Sequence, residues 1–194
     1  MIADISMSLD GFAAGLGDEV SELHRWFSDG DVEVPMPAGF TIRTSAGSAG
    51  YLQEAIDALG ALITGRRTFE IAGAWGGNHP MGVQTFVVTH AVPEGWPRPD
   101  ASMTFVLDGV ESAVAQAKEH AGDRTVAVAS PSIVRQCLAA GLLDGISVNI
   151  VPVLLGDGIP LFAELVRTPI RLSGPEVTEG AGVIHLFYRV EGRA

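Results

Sequence analysis

Apolar positions recur along this chain with two different periods, and the switch between them marks its elements. Ile2 to Met7 alternates apolar and polar residues, the two-residue period of a half-buried strand, and Asp10-Gly11 supplies the turn that ends it. Leu52, Ala55, Ile56 and Leu59 fall at i, i+3, i+4 and i+7. They predict one buried face of a helix from about Ala49 to Leu59, with Ser48 as its N-cap. The apolar run Ala61 to Thr64 predicts a strand, and a short helix follows from about Arg67. Further strands are predicted at Gln84 to Thr89 and Thr104 to Leu107. Asp108 with Glu111 three residues on predicts a capping box, opening a helix whose inner face is Val110, Ala113, Val114 and Ala117. Thr125 to Ala129 predicts a strand, and Ser130-Pro131 then starts a helix that Gly141 closes.

Two regions break this rhythm. Residues 15–50 are rich in Gly, Asp, Pro and Ser, and only Val20 to Phe27 looks helical, so most of that stretch is expected to be loop. From Ile146 onward the strands Ile146 to Leu155, Ile170 to Val177 and Val183 to Val190 follow one another without a long helix between them. The expected fold is α/β, a single domain over 1–194. Its mixed, mostly parallel sheet carries flanking helices and an antiparallel C-terminal edge.

Composition narrows the function classes. Hydrophobic residues make up 47% and charged residues 18%, a globular balance. The formal charge of −11 sets nucleic acid and anionic membranes aside as main partners. Cys137 is the one cysteine, which excludes an intrachain disulfide and a cysteine-rich metal site; its apolar neighbours predict a packing role. His24, His79 and His120 lack partners at metal-ligand spacing, and His185 in a predicted strand reads as structural. With no signal peptide and no apolar run of about eighteen residues, a cytoplasmic location is expected.

Only twelve residues are basic, yet Arg66 and Arg67 stand side by side where a predicted strand stops. In sheets of this kind, ligands bind at the carboxyl ends of the strands. Three polar sites fall there: Gly65-Arg66-Arg67-Thr68, Thr89-His90 and Ala129-Ser130-Pro131-Ser132. Glycine admits close backbone approach, arginine offers a planar fork to phosphate oxygens, and Thr and Ser offer hydroxyls. Asp10 after the first strand has two readings, a residue facing substrate or a turn former before glycine. Trp26, Trp75 and Trp96 either wall a pocket or cover the sheet. Gly156-Asp157-Gly158 is a fragment of a phosphate loop and carries little weight alone.

Six segments in order carry a family resemblance: "ISMSLDGFAAG", "TGRRTFE", "TFVVTH", "SIVRQCLAAGLLD", "PVLLGDGIPLF" and "GVIHLFYRV". Together they resemble the dihydrofolate-reductase-like family that includes the reductase domain of bacterial riboflavin biosynthesis, closest to its small stand-alone members. The resemblance implies a dihydrofolate-reductase-like three-layer fold binding NADPH along strand ends. It implies that Gly65, Arg66, Arg67 and Thr68 contact the cofactor phosphates and that Thr89 and His90 lie near the 2′-phosphate. Ser130, Pro131 and Ser132 would lie at the pyrophosphate. The loop Leu9 to Ala14, with Ala13 and Ala14, would approach the nicotinamide, and Asp10 is the candidate catalytic residue. A homodimer acting on a small molecule is also implied.

The chain departs from the family at two places. Val128-Ala129-Ser130-Pro131 stands where relatives carry a run of glycines, and Asp144-Gly145 stands where they usually carry Asp-Glu. The region Ser48 to Leu52 lacks the carboxylate by which dihydrofolate reductases hold their pteridine, so dihydrofolate is not the expected substrate. The glutamate and the fused deaminase domain of the riboflavin-pathway enzyme are also missing. The expectation is an NADPH-dependent reductase of a small polar or heterocyclic substrate, within the range of 5-amino-6-(5-phosphoribosylamino)uracil-like compounds. The alternative is a non-catalytic ligand-binding or interaction protein that kept the fold and lost the cofactor.

Overall fold

The computed structural model of the chain describes residues 1–166 and 168–192. The first strand, β1 (Ile2–Ser8), is followed by a short β2 (Phe12–Ala14), a 3-10 turn, helix α1 (Ser21–His24) and the hairpin β3 (Val32–Pro35) and β4 (Thr41–Thr44). Helix α2 (Ala46–Ala58) leads into β5 (Leu59–Gly65), α3 (Arg66–Ile71) and β6 (Gln84–Val88). Then come β7 (Met103–Val106), α4 (Val110–Ala121), β8 (Thr125–Val128), α5 (Pro131–Ala139) and β9 (Gly145–Val151). The short β10 (Ile159–Pro160) pairs with β2, and the chain closes on β11 (Leu172–Gly180) and β12 (Val183–Val190).

Eight strands form one sheet in the order β11-β12-β9-β1-β8-β5-β6-β7. The six from β9 to β7 are parallel, and β12 and β11 add on antiparallel. Alternation along β1 sorts the two faces. Ala3, Ile5 and Met7 join the core under α4 and α5, which includes Ile63, Val128 and Val134. Asp4 and Ser6 point the other way, toward α2 and the segment before it. There Leu23, Trp26, Val34 and Leu52 form a second core. Trp26 is 2% exposed and covers the sheet.

Several local expectations are corrected. Helix α2 starts three residues early, capped by Ser45, whose Oγ accepts the Ser48 amide; Ser48 is inside, fully buried. The capping box does not form, because Gly109 takes the N-cap position at φ 97° and Asp108 Oδ2 accepts from Ser112 instead. The strand expected from Ile146 ends at Val151, and the one expected from Ile170 begins at Leu172. The stretch expected as loop holds the β3–β4 hairpin, which becomes legible only once it closes the second core. Burial pushes the Cys137 thiol up to about 12, consistent with packing. Among the described residues no helix is long and apolar enough to cross a membrane, and no His, Cys, Asp and Glu group could hold a metal ion.

Candidate functional site

The carboxyl ends of β1, β8, β5 and β6 lie side by side, so the loops that follow them share one rim. At its centre stands Ser130, in the N-cap position of α5 with extended backbone. Its hydroxyl makes no cap bond. Ser130 Oγ instead accepts the Gly65 amide at 2.8 Å and donates to Thr68 Oγ1 at 2.6 Å. A hydroxyl carries one hydrogen, so Thr64 is the donor in the 2.9 Å contact between Thr64 Oγ1 and Ser130 Oγ. Ser130 and Thr64 are both buried. The Ser130 hydroxyl thus sews the β5–α3 and β8–α5 junctions together.

Around this knot the rim is made of donors. Ser132 is exposed at the first turn of α5, and its Oγ would lie 3.5 Å from a Cβ placed on Gly65. Its hydroxyl has no protein partner among the described residues, and the first-turn amides of Ser132 and Ile133 have no acceptor within the helix. Pro131, at N1, contributes no amide. Arg66 is exposed; its Nε donates to Glu70 Oε1 at 2.7 Å and its Nη1 to the Ala91 carbonyl at 3.2 Å. Thr89 Oγ1 donates to that same carbonyl at 2.9 Å, with the exposed His90 next to it. Arg67 pairs at 2.5 Å with Asp18, the last residue of the 3-10 turn that follows β2. The three sequence-predicted sites therefore meet on one rim. The donor set of two guanidinium groups, hydroxyls and free amides suits a phosphate or pyrophosphate.

The loop 9–14 is held by its own anion. Asp10 accepts Ser8 Oγ at 2.6 Å and the amides of Gly156 and Leu155 at 2.8 and 3.2 Å. These bonds, Ser8 first, lower the carboxyl below its ordinary value. Asp10 thus joins the loop after β1 to Leu155-Gly156. Ala13 is half-buried and Ala14 buried, and Gly158 passes so close to the Ala14 carbonyl, at φ 147°, that no side chain could stand there.

Sequence reasoning missed a second polar cluster, under α2. Tyr51 donates to Asp4 Oδ1 at 2.9 Å and touches Ser147 Oγ at 3.0 Å. Asn149 Nδ2 donates to the same carboxylate oxygen at 3.1 Å, which turns Asn149 Oδ1 toward His185 Nδ1 at 2.7 Å. His185 Nδ1 is therefore the protonated nitrogen, and Nε2 accepts from Ser48 Oγ at 2.9 Å. The Tyr51 and His185 rings stack at 4.1 Å. Desolvation raises Asp4 to about 6 against the pull of Tyr51 and Asn149, and burial lowers His185 to about 4. Burial first, then the Asp4 charge, raises Tyr51. The signal was present as polar residues alternating at Asp4 and Ser6 and at Ser147 and Asn149, the same pattern a solvent-facing strand shows.

The sequence profile of the RibD C-terminal domain matches residues 1–179. A curated relative, the uncharacterized protein YwjB of Bacillus subtilis (strain 168), is 25% identical over 93% of each chain. A solved structure from Shewanella sp. PV-4, provisionally assigned to riboflavin biosynthesis, is similar at a TM-score of 0.70 with 22% identity over 98% of each chain. Enterococcus faecalis dihydrofolate reductase, solved with NADP(H), is similar at a TM-score of 0.58 and 14% identity, covering 99% of this chain and 97% of that one. Both share its dihydrofolate-reductase-like fold, and the match over nearly its whole length makes this chain a member of the RibD C-terminal domain family.

Proposed function

We propose that the protein is an NADPH-dependent reductase of a small polar or heterocyclic substrate. The observation that carries this reading is the convergence of Arg66, Arg67, Ser132 and the free α5 amides beside Gly65, in a chain of net charge −11. Such a concentration of donors at strand ends answers to a phosphorylated ligand. Arg66 and Arg67 would hold the phosphates, Ser132 and the first turn of α5 the pyrophosphate, and Thr89 and His90 the 2′-phosphate side. The bound nicotinamide would supply hydride. Asp10, with its lowered pKa and its carboxylate already filled by donors, serves to position the loop with Ala13 and Ala14; the proton is drawn from water. NADP(H) bound to E. faecalis dihydrofolate reductase, a protein of this fold, supports the choice of cofactor. The cytoplasm, which maintains NADPH and keeps cysteines reduced, is the compartment this reading requires.

The reading extends to a homodimer. Val177 and Ile184 share one face of the β11–β12 edge, because Val177 pairs with Leu186 and Glu179 with Ile184. They are 56% and 45% exposed. A second copy related by two-fold symmetry would cover them and remove the free sheet edge.

Titration of intrinsic tryptophan fluorescence with NADPH and NADH tests the cofactor reading. Saturable NADPH binding, tighter than NADH binding, is expected. The absence of any saturable signal would leave the non-catalytic alternative, which the inward Ser130 hydroxyl and the missing Pro131 amide favour.

A further inference from the structure

Between α2 and strands β11 and β12 lies a cavity of about 200 Å³. Ile2 and Asp4 lie on β1, two strands and about 10 Å across the sheet from β5 and the arginines that follow it, and the other strand residues of the lining lie farther away on β9, β12 and β11. Its polar lining is Asp4, Tyr51, Glu54, Ser147, Glu176 and His185, and Phe187 supplies an aromatic wall. No lysine or arginine lines it. Asp4 Oδ1 is occupied by Tyr51 and Asn149, while Oδ2 has no protein partner among the described residues. Asp4 is half-buried, and its Oδ2 faces the pocket as an acceptor open to a donor. The rim already shows which cation suits the surface. The Arg189 guanidinium lies 5.8 Å from the centre of the Phe187 ring and 3.3 Å from Glu176.

We infer that this cavity is a second ligand site, for a small flat nitrogen cation such as an amidinium, guanidinium or protonated aminoheterocycle. Its N–H groups donate to Asp4 Oδ2, and its ring or plane rests among Tyr51, His185 and Phe187. The Asp4 and Glu54 carboxylates and the aromatic faces favour a cation, and the planar head matches a carboxylate better than a compact ammonium does. The volume is below the roughly 300–1,000 Å³ of sites for larger ligands, so the ligand is of single-ring size. The site lies away from the strand-end rim and does not depend on nicotinamide cofactor binding.

Benzamidine is the probe and benzamide its neutral twin of the same shape. Chemical-shift titration of the full chain should show saturable benzamidine binding, with perturbations at Tyr51, Ser147 and His185, unchanged by NADPH. Benzamide and the Asp4→Asn variant should each bind at least roughly tenfold more weakly, the scale of a charge-assisted bond. In the wild-type chain, affinity should fall about tenfold from pH 7.5 to 5 as Asp4 takes up a proton. His185, lowered to about 4, and Tyr51, raised, keep their charge over that range, while Glu54, Glu176 and Arg189 are the other charges at the site. Equal binding of benzamide, shifts clustered at Arg66 and Arg67, or no saturable binding would each overturn the assignment. The benzamide and pH comparisons use the native chain, so they decide even if Asp4→Asn fails to fold.

Discussion

Ser130 Oγ accepts the Gly65 amide at 2.8 Å, joining two strand-to-helix junctions that are 65 residues apart in sequence. Ser130 is therefore a structural acceptor, and its hydroxyl faces inward, away from the rim. Ser130→Gly should destabilise the fold by about 1–3 kcal/mol, because it strands the buried Gly65 N–H and Thr64 hydroxyl and adds backbone entropy to the unfolded chain. Urea unfolding measures the loss. A variant of unchanged stability with tighter NADPH binding would show that the serine merely obstructs the cofactor.

Arg66 links α3 to the loop after β6 through the Ala91 carbonyl and remains exposed. Arg66→Ala should weaken NADPH binding by about 10- to 150-fold, from a charge-assisted contribution of about 1.5–3 kcal/mol. NADH binding should weaken less. The same fluorescence titration, run on both cofactors, reads the difference.

Arg67 is held by Asp18, whose φ is 67°. If Arg67 binds a cofactor phosphate as proposed, a carboxylate beside it competes with the ligand. Asp18→Asn should tighten NADPH binding by about two- to fivefold, the scale of an exposed pair contributing up to about 1 kcal/mol. Thermal stability should hardly change, since asparagine tolerates positive φ well. Weaker binding in this variant would mean that the ion pair orients Arg67 for the ligand.

Asp4 makes stability depend on pH in an unusual direction. Its carboxyl titrates near 6 when folded, against 3.8 as the ordinary value, so between these the folded state holds the extra proton. Stability from this group is therefore highest below about 3.8 and is lost as pH rises through 6, a span of about 3 kcal/mol. His185 runs the other way. Its folded value near 4 lies below the ordinary 6.5, so its contribution is present above 6.5 and lost as pH falls toward 4. Asp4→Asn should remove the first effect and leave the second. The wild-type-minus-variant difference in unfolding free energy, measured by urea at pH 4 and 6.5, should be larger at pH 4 by about 2 kcal/mol.

Ile184→Asp should convert the proposed dimer to a monomer, since it places a charge on the exposed β11–β12 face. Sedimentation equilibrium is expected to give twice the 20.3 kDa chain mass for the wild type and the single mass for the variant. A wild-type chain that sediments as a monomer at micromolar concentration would reject the dimer.

The sequence by itself determined the strands of the main sheet, the long helices and the address of the rim. Periodicity is local, so β12 was read to the residue and β6 to within one. Gly65-Arg66-Arg67-Thr68 was visible because charge seldom follows a buried strand in so acidic a chain. Cap positions were less legible: Ser45 and Ser48 are both competent caps, and only the packing of Ser48 against His185 decides between them. Tertiary structure alone decided the direction of each hydroxyl and carboxylate. Ser130 faces inward because Gly65 and Thr64, brought by a neighbouring strand, need its oxygen. Asp4, Asn149 and His185 are far apart in the chain and become one buried network only when β1, β9 and β12 align. A polar residue on an alternating strand reads the same whether its face meets water or a helix, and it is α2 with Tyr51 that turns this face into an interior.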